Sequence, residues 1–265
     1  MSKTIDINDV ELEQFQGRVF ADLAAGYGGV MISLGAKLGL YAALAGAGPL
    51  TSADVAQRTD CAERYVREWL NSQAAGGYLD YARELKTYTL SPERAAVLAA
   101  PANPAYLTPA FDVVASMWLD EHLAIEAFRT GKGVPWGAHH ERLSNGVAAF
   151  FRTGYQAMLV PEWLPAMDDV VAKLEAGATV ADIGCGHGHS TVLMAETFAN
   201  SRFHGYDTHA GSIEAARENA VTAGVADRVT FEIGTAHDYA ERGFALICFF
   251  DFLHDMGAAL GAARH

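Results

Sequence analysis

Cysteine is scarce: three in 265 residues, Cys61, Cys185 and Cys248, far apart and odd in number. They form no CxxC pair and no disulfide framework, so reduced thiols in a cytoplasmic protein are expected. Positive charge is also short, with 19 Lys and Arg against 32 Asp and Glu, a formal net charge of −13. Such a chain repels a phosphate backbone unless its cations gather in one patch. No uninterrupted apolar run approaches the ~18 residues of a membrane span. The N-terminus, MSKTIDINDVELEQF, has no apolar core of the secretory kind. Repeats and low-complexity tracts are missing too, and no His or Cys cluster has zinc spacing, so no metal site is expected. At 51% hydrophobic and 19% charged the chain is globular, long enough for one large or two modest domains.

What is present divides into three parts. Residues 17–45 carry apolar side chains at helical spacing, with an expected break at Gly26–Gly29, and Gly46-Ala47-Gly48-Pro49 ends the run. The next stretch has the form of a winged helix-turn-helix. Thr51 or Ser52 caps a helix over 53–58, and a second helix over 62–75 turns Tyr65, Val66, Trp69 and Leu70 to one face. Strands over 78–81 and 87–90 form the wing. Helical patterns at 105–129, 145–160 and 161–174 follow, with a loop, Gly131 to His140, between the first two.

From Ala178 the rhythm becomes strand, glycine turn, helix, strand, with strands at 179–183, 202–206, 228–233 and 244–250. Alternation of this length implies a parallel sheet with right-handed crossovers, an α/β Rossmann-like domain. The expected domains are a winged helix over 1–100, a helical connector with the substrate pocket over 101–176, and the Rossmann-like domain over 177–265. The last strand would be a bare apolar edge, so the chain reads as truncated at its C-terminus.

Chemistry concentrates in Asp182-Ile183-Gly184-Cys185-Gly186-His187-Gly188, between a strand and a helix. Glycines there let a ligand approach the backbone, and the helix N-terminus favours an anionic group. The dinucleotide fingerprint fails, because its third glycine falls on His189, and no Gly-Lys-Ser/Thr is present. Asp182 is a poor neighbour for pyrophosphate and suits a ligand that carries cations. S-adenosylmethionine has an ammonium, a sulfonium and one carboxylate. Asp207 ends the second strand 19 residues after Gly188, where a carboxylate can accept both ribose hydroxyls.

Residues 178–255 resemble the cofactor-binding half of class I methyltransferases. The whole layout is similar to winged-helix small-molecule O-methyltransferases and their bacterial relatives of unassigned substrate. The resemblance implies that Asp182, Gly184, Gly186 and Gly188 line the methionine end of S-adenosylmethionine. It implies that Asp207 and Thr208 hold the ribose, that Thr235 and Ala236 flank the adenine, and that Phe250 offers a carbonyl near the methionine. Many relatives have an acid where Thr235 stands. In Leu253-His254-Asp255, His254 matches the catalytic base of the plant-type enzymes, although Met256 replaces their tryptophan. An imidazole there can take the proton of a hydroxyl acceptor.

In the resembling family the winged helix makes a homodimer, and that role is expected here over DNA binding. Between Thr51 and Pro92 five basic side chains face six acidic ones, with Glu near each Arg of the second helix. The expected function is transfer of a methyl group to a small molecule, with no membrane partner. The alternatives are an S-adenosylmethionine-binding transcriptional regulator and an inactive truncated methyltransferase. Trp136 and His139, in the connector loop, are further functional candidates.

Overall fold

The computed structural model describes residues 7–237, 239, 243–256 and 259–262. Two compact units emerge: Met1–Ala100 with Tyr106–Phe111, and Pro101–Ala105 with Asp112–His265. The connector segment is thus mostly part of the second unit.

The first unit opens with a 29-residue helix, α1 (Asp9–Lys37). Asn8 caps it, its side-chain oxygen accepting the Val10 and Glu11 N–H groups at 3.1 and 3.3 Å. The helix runs through Gly26–Gly29 without the expected break, which falls instead at Gly39 (φ 68°). Two of its glycines serve close approach. A Cβ on Gly29 would lie 3.2 Å from the Phe111 ring, and one on Gly35 2.3 Å from that of Trp69. Trp69 also donates its indole N–H to the Met31 carbonyl at 2.8 Å. By length and composition α1 could cross a membrane, with a mean hydropathy of 1.4 over its most apolar window. Asp22 alone hides this from a search for uninterrupted runs.

After α2 (Leu40–Leu44) come α3 (Ser52–Thr59), α4 (Glu63–Ala75), β1 (Asp80–Ala82), β2 (Thr87–Thr89) and α5 (Pro92–Leu98). Thr51 starts α3 with a reciprocal cap: Asp54 N–H reaches its hydroxyl, and Thr51 N–H reaches the Asp54 carboxylate at 2.8 Å. β1 and β2 pair antiparallel as the wing, Tyr81 opposite Tyr88. Tyr41, Leu44, Val55 and Leu70 form the centre of this unit's core. Tyr65, expected on the inner face of α4, is 79% exposed, while Gln73 takes an inner position and receives the buried Tyr41 hydroxyl. Arg64 pairs with Glu68 and Arg67 with Glu63, each one turn away, so α4 presents no unopposed basic stripe.

Helix α6 (Ala110–Leu119) spans the division, and α7 (Glu121–Thr130) and α8 (Glu141–Gly154) follow it. The chain then widens into a π-helix over Tyr155–Trp163. Pro161 has no N–H and would crowd the carbonyl four residues back in an α-helix. The wider turn relieves that clash, and Leu164 N–H bonds the Leu159 carbonyl five residues back at 3.0 Å. Helix therefore resumes only at α9 (Val170–Ala176), not across 161–174.

The sheet is built from β3 (Thr179–Ile183), β4 (Arg202–Asp207), β5 (Val229–Ile233) and β6 (Leu246–Cys248), all parallel, in the order β5-β4-β3-β6. α10 (His189–Thr197) and α11 (Ala210–Thr222) connect the first three strands, and a short α12 (Ala259–Ala262) follows β6. Val180, Ala181, Ile183 and Phe203 are almost completely buried, as strands covered on both faces require, and Met194 of α10 is buried with them. β6 is shorter than the apolar run from 244 to 250, and Phe249 and Phe250 leave the sheet at its carboxyl end. Strand order reverses between β3 and β6. Such a switch point opens a crevice at the carboxyl ends of the strands.

Candidate functional site

The glycine turn after β3 forms one wall of that crevice. Gly184, Gly186 and Gly188 have φ of 74°, 52° and 70°, backbone that side chains with a Cβ rarely adopt. A Cβ on Gly184 would meet Phe252 at 2.5 Å and one on Gly188 would meet Phe231 at 2.5 Å. Around Gly186 there is open space. The first and third glycines answer to packing from within, and the second to whatever enters the crevice.

Asp207, at the end of β4, is held by two backbone donors. Gly186 N–H reaches Oδ2 at 2.9 Å and His209 N–H reaches Oδ1 at 2.8 Å. Each oxygen keeps lone-pair capacity for a further donor. Asp207 and Thr208 line a cavity of about 540 Å³, as do Gly184, Gly186 and Phe250. That volume lies within the ordinary range for small-molecule sites.

Five of the residues marked in the sequence are outside the lining. Asp182 is fully buried behind the loop, where Oδ2 accepts the Ser190 and Thr191 hydroxyls at 2.6 and 2.7 Å. Its Oδ1 has no hydrogen-bond partner among the described residues. Burial pushes its carboxyl up to about 6, against the pull of the two hydroxyls, and the nearby Asp207 charge adds to the rise. Gly188 is the left-handed cap of α10, packed under Phe231. Thr235 is exposed, and Ala236 is buried against the cluster of Tyr206 and Tyr239. His237, one residue on, lines the cavity in their place.

His254 lies on the turn Leu253–Asp255, its side chain 61% exposed and outside the cavity lining. Its Nδ1 is 3.4 Å from Asp251 Oδ1 and its Nε2 3.1 Å from Asp255 Oδ1. A neutral imidazole has one N–H and can serve only one of these. Asp251 and Asp255 themselves line the cavity.

Trp136, one of the two connector-loop candidates, lines the cavity, with Phe151 and Tyr155 from the segment before the sheet and His187 and His189 from the glycine loop itself. Burial, helped by Arg152 and His187, lowers His189 to about 4, so its imidazole is neutral at pH 7. The described lining residues include three carboxylates, Asp207, Asp251 and Asp255, and no Lys or Arg. His139 lies beside this cavity, not in it, with Nδ1 2.9 Å from Asp120 Oδ2, and it lines a smaller hollow with Trp136 and His209.

A Rossmann-like sheet with a glycine turn, and an acid at the end of the next strand, matches a known domain. Residues 174–262 match the profile of a family described as a methyltransferase domain, and residues 26–100 match an Rv2258c-like winged HTH domain. The chain carries a methyltransferase domain behind a winged helix. Solved methyltransferases share this fold. Mitomycin 7-O-methyltransferase is 20% identical, with 97% of this chain and 77% of that chain covered and a TM-score of 0.63. Human N-acetylserotonin methyltransferase, solved with S-adenosylmethionine, is 19% identical over 96% of this chain and 74% of that one, with a TM-score of 0.61. An O-methyltransferase from neocarzinostatin biosynthesis is 19% identical over 99% and 78%, with a TM-score of 0.58. A trans-aconitate 2-methyltransferase of Paracidovorax citrulli is 44% identical over 50 residues, 19% of each chain. The matched stretch of this chain thus spans only about a fifth of that relative's length.

Proposed function

We propose that this chain binds S-adenosylmethionine in the 540 Å³ cavity and transfers its methyl group to the hydroxyl oxygen of a small molecule. The observation that carries this reading is Asp207, a carboxylate pinned by two backbone N–H groups at the end of β4 and open to the cavity. A ribose diol supplies the two donors that Asp207 can still accept. A lining with three carboxylates and no described Lys or Arg suits a ligand bearing cations and opposes a diphosphate. When bound, the cofactor supplies an electrophilic methyl group on a sulfonium.

The chain's own contribution is alignment and proton transfer. Holding the acceptor oxygen in line with the methyl group replaces a bimolecular encounter with a positioned one. The acceptor's proton leaves toward Asp251 and Asp255, with His254 behind them to share it. Free Cys61, Cys185 and Cys248 fit a reducing, cytoplasmic setting.

The partner of the first unit is a second copy. Leu12, Phe15, Val19, Leu23, Tyr27, Val30, Leu34 and Leu38 are all more than 40% exposed and recur every three or four residues along and just beyond α1. A single apolar stripe is the pattern of a helix that packs on another helix.

Calorimetry with S-adenosylhomocysteine tests the site. Binding is expected for the parent, and Asp207→Ala should weaken it at least ~10-fold, since the ribose hydroxyls lose a charged acceptor. Equal affinity in the two proteins would remove the assignment. On an accepted hydroxylated substrate, His254→Ala should lower turnover and leave adenosylhomocysteine affinity unchanged.

A further inference from the structure

Three rings of the cavity wall form one continuous surface that the binding of ribose and adenine does not explain. Phe151, Tyr155 and Phe250 all line the cavity. Tyr155 is the middle ring, 6.2 Å from Phe151 in a stacked arrangement and 5.4 Å from Phe250 at 59°. Trp163 backs the pair, 6.2 Å from Tyr155 edge-on and 6.2 Å from Phe250 in a stack, and is not itself in the lining. The π-helix brings this about, because Tyr155 opens it and Trp163 closes it. π-segments inside helices recur at functional sites.

The electrostatics at this wall have one sign. Asp251 follows Phe250 directly and lines the same cavity. Burial, then the Asp182 and Asp251 charges, raise the Tyr155 phenol well above its ordinary value, so the ring stays neutral and keeps its hydroxyl proton. Each aromatic face is the negative end of a quadrupole. A cation against these rings is attracted by the faces and by Asp251 together. A neutral ligand of the same shape gains only the apolar contact.

We propose that the wall of Phe151, Tyr155 and Phe250 is a cation-recognition surface that distinguishes the charged cofactor from its neutral product, with Tyr155 as the discriminating ring. This rests on the reading that the cavity takes S-adenosylmethionine. The sulfonium lies against the rings before transfer. Once the methyl carbon has bonded to the acceptor oxygen, sulfur keeps the electron pair of the broken bond and is a neutral thioether. The attraction to the wall is then lost, and release of the product is eased. Cation–π attraction at a partly desolvated site corresponds to about 3- to 30-fold in affinity.

The test is calorimetric binding of S-adenosylmethionine and S-adenosylhomocysteine to the full chain and to Tyr155→Leu, Tyr155→Phe and Phe151→Leu. Tyr155→Leu should weaken S-adenosylmethionine about 3- to 30-fold and move S-adenosylhomocysteine by less than about 2-fold. Tyr155→Phe, which keeps the aromatic face, should bind both as the parent does. Phe151→Leu should shift selectivity in the same direction as Tyr155→Leu, and serves as the readout if the latter does not fold. Equal losses for the two ligands, or no loss for either, would overturn the proposal. Failure of the parent to bind either ligand would instead overturn the reading of the cavity.

Discussion

Asp182 carries a carboxyl that the folded chain makes hard to ionise. Its environment holds it at about 6, against an ordinary 3.8, chiefly through burial. The folded chain therefore binds this proton more tightly than the unfolded chain does between about pH 4 and 6. The contribution to stability is fully present below the unfolded value and is lost as pH rises through about 6. At roughly 1.4 kcal/mol per unit, the loss at pH 7 is about 3 kcal/mol. Asp182→Asn keeps an acceptor for the Ser190 and Thr191 hydroxyls and cannot ionise. Its stability relative to the parent should grow between pH 4 and 7, as urea unfolding at several pH values would measure. His189, lowered to about 4, works the other way: its contribution is full above about 6.5 and lost as pH falls. It is common to both proteins and cancels in the comparison. Parallel stability curves would show that Asp182 does not titrate in this window. The sequence marks Asp182 as the cation-facing acid, but its orientation depends on two hydroxyls beyond the glycine turn, eight and nine residues on. The Ser190-Thr191 pair at the start of α10 is the only local signal of that inward turn.

At the scale of elements, the β3 turn separates folding from binding. Gly188→Ala puts a Cβ at φ 70°, 2.5 Å from Phe231 and 3.0 Å from the Ala216 methyl. Strain and overpacking together should cost at least about 2 kcal/mol, visible as a lower thermal midpoint. Gly186→Ala meets open space and pays only for its positive φ, about 1 kcal/mol. It should melt close to the parent and yet lose adenosylhomocysteine binding, because the added methyl group faces the cavity. If the two variants melted alike, the division between packing and binding glycines would be wrong. Much of this element can be read in advance. β3 and β4 lie where alternating apolar runs place them, and Asp207 follows from strand length alone. The break expected in α1 fails because Gly29 and Gly35 admit the rings of Phe111 and Trp69, a tertiary demand that looks like a breaker in one dimension. The aromatic roof is legible only as one of two readings: Phe151 and Tyr155 could cover a pocket, but their helical spacing favours core packing. Only the widening at Pro161 and the path of the chain after β6 bring Tyr155 against Phe250.

At the scale of the molecule, α1 is the feature that one chain leaves unfinished. A helix about 44 Å long, with only Ile32 and Gly35 buried along it, does not hold its apolar stripe in water without cover. Its length and hydropathy would also suit a bilayer. Against that stand Asp22, the charge inside the apolar window, and Glu11, Glu13 and Arg18 before it, where the exposed stripe already begins at Leu12 and Phe15 and would lie outside a span. A second copy of the chain can cover the stripe and leave these charges in water. Stability should then depend on protein concentration, because association acts by mass action on the folded state. Light scattering after size exclusion should give twice the chain mass, and the thermal midpoint should rise with concentration. Leu23→Glu with Val30→Glu, both at positions more than half exposed, should shift the protein to single chains and abolish the concentration dependence. The cavity is lined wholly by second-unit residues, so adenosylhomocysteine affinity should survive the same substitutions. A parent of single-chain mass whose α1 binds phosphatidylcholine vesicles would assign the stripe to lipid instead.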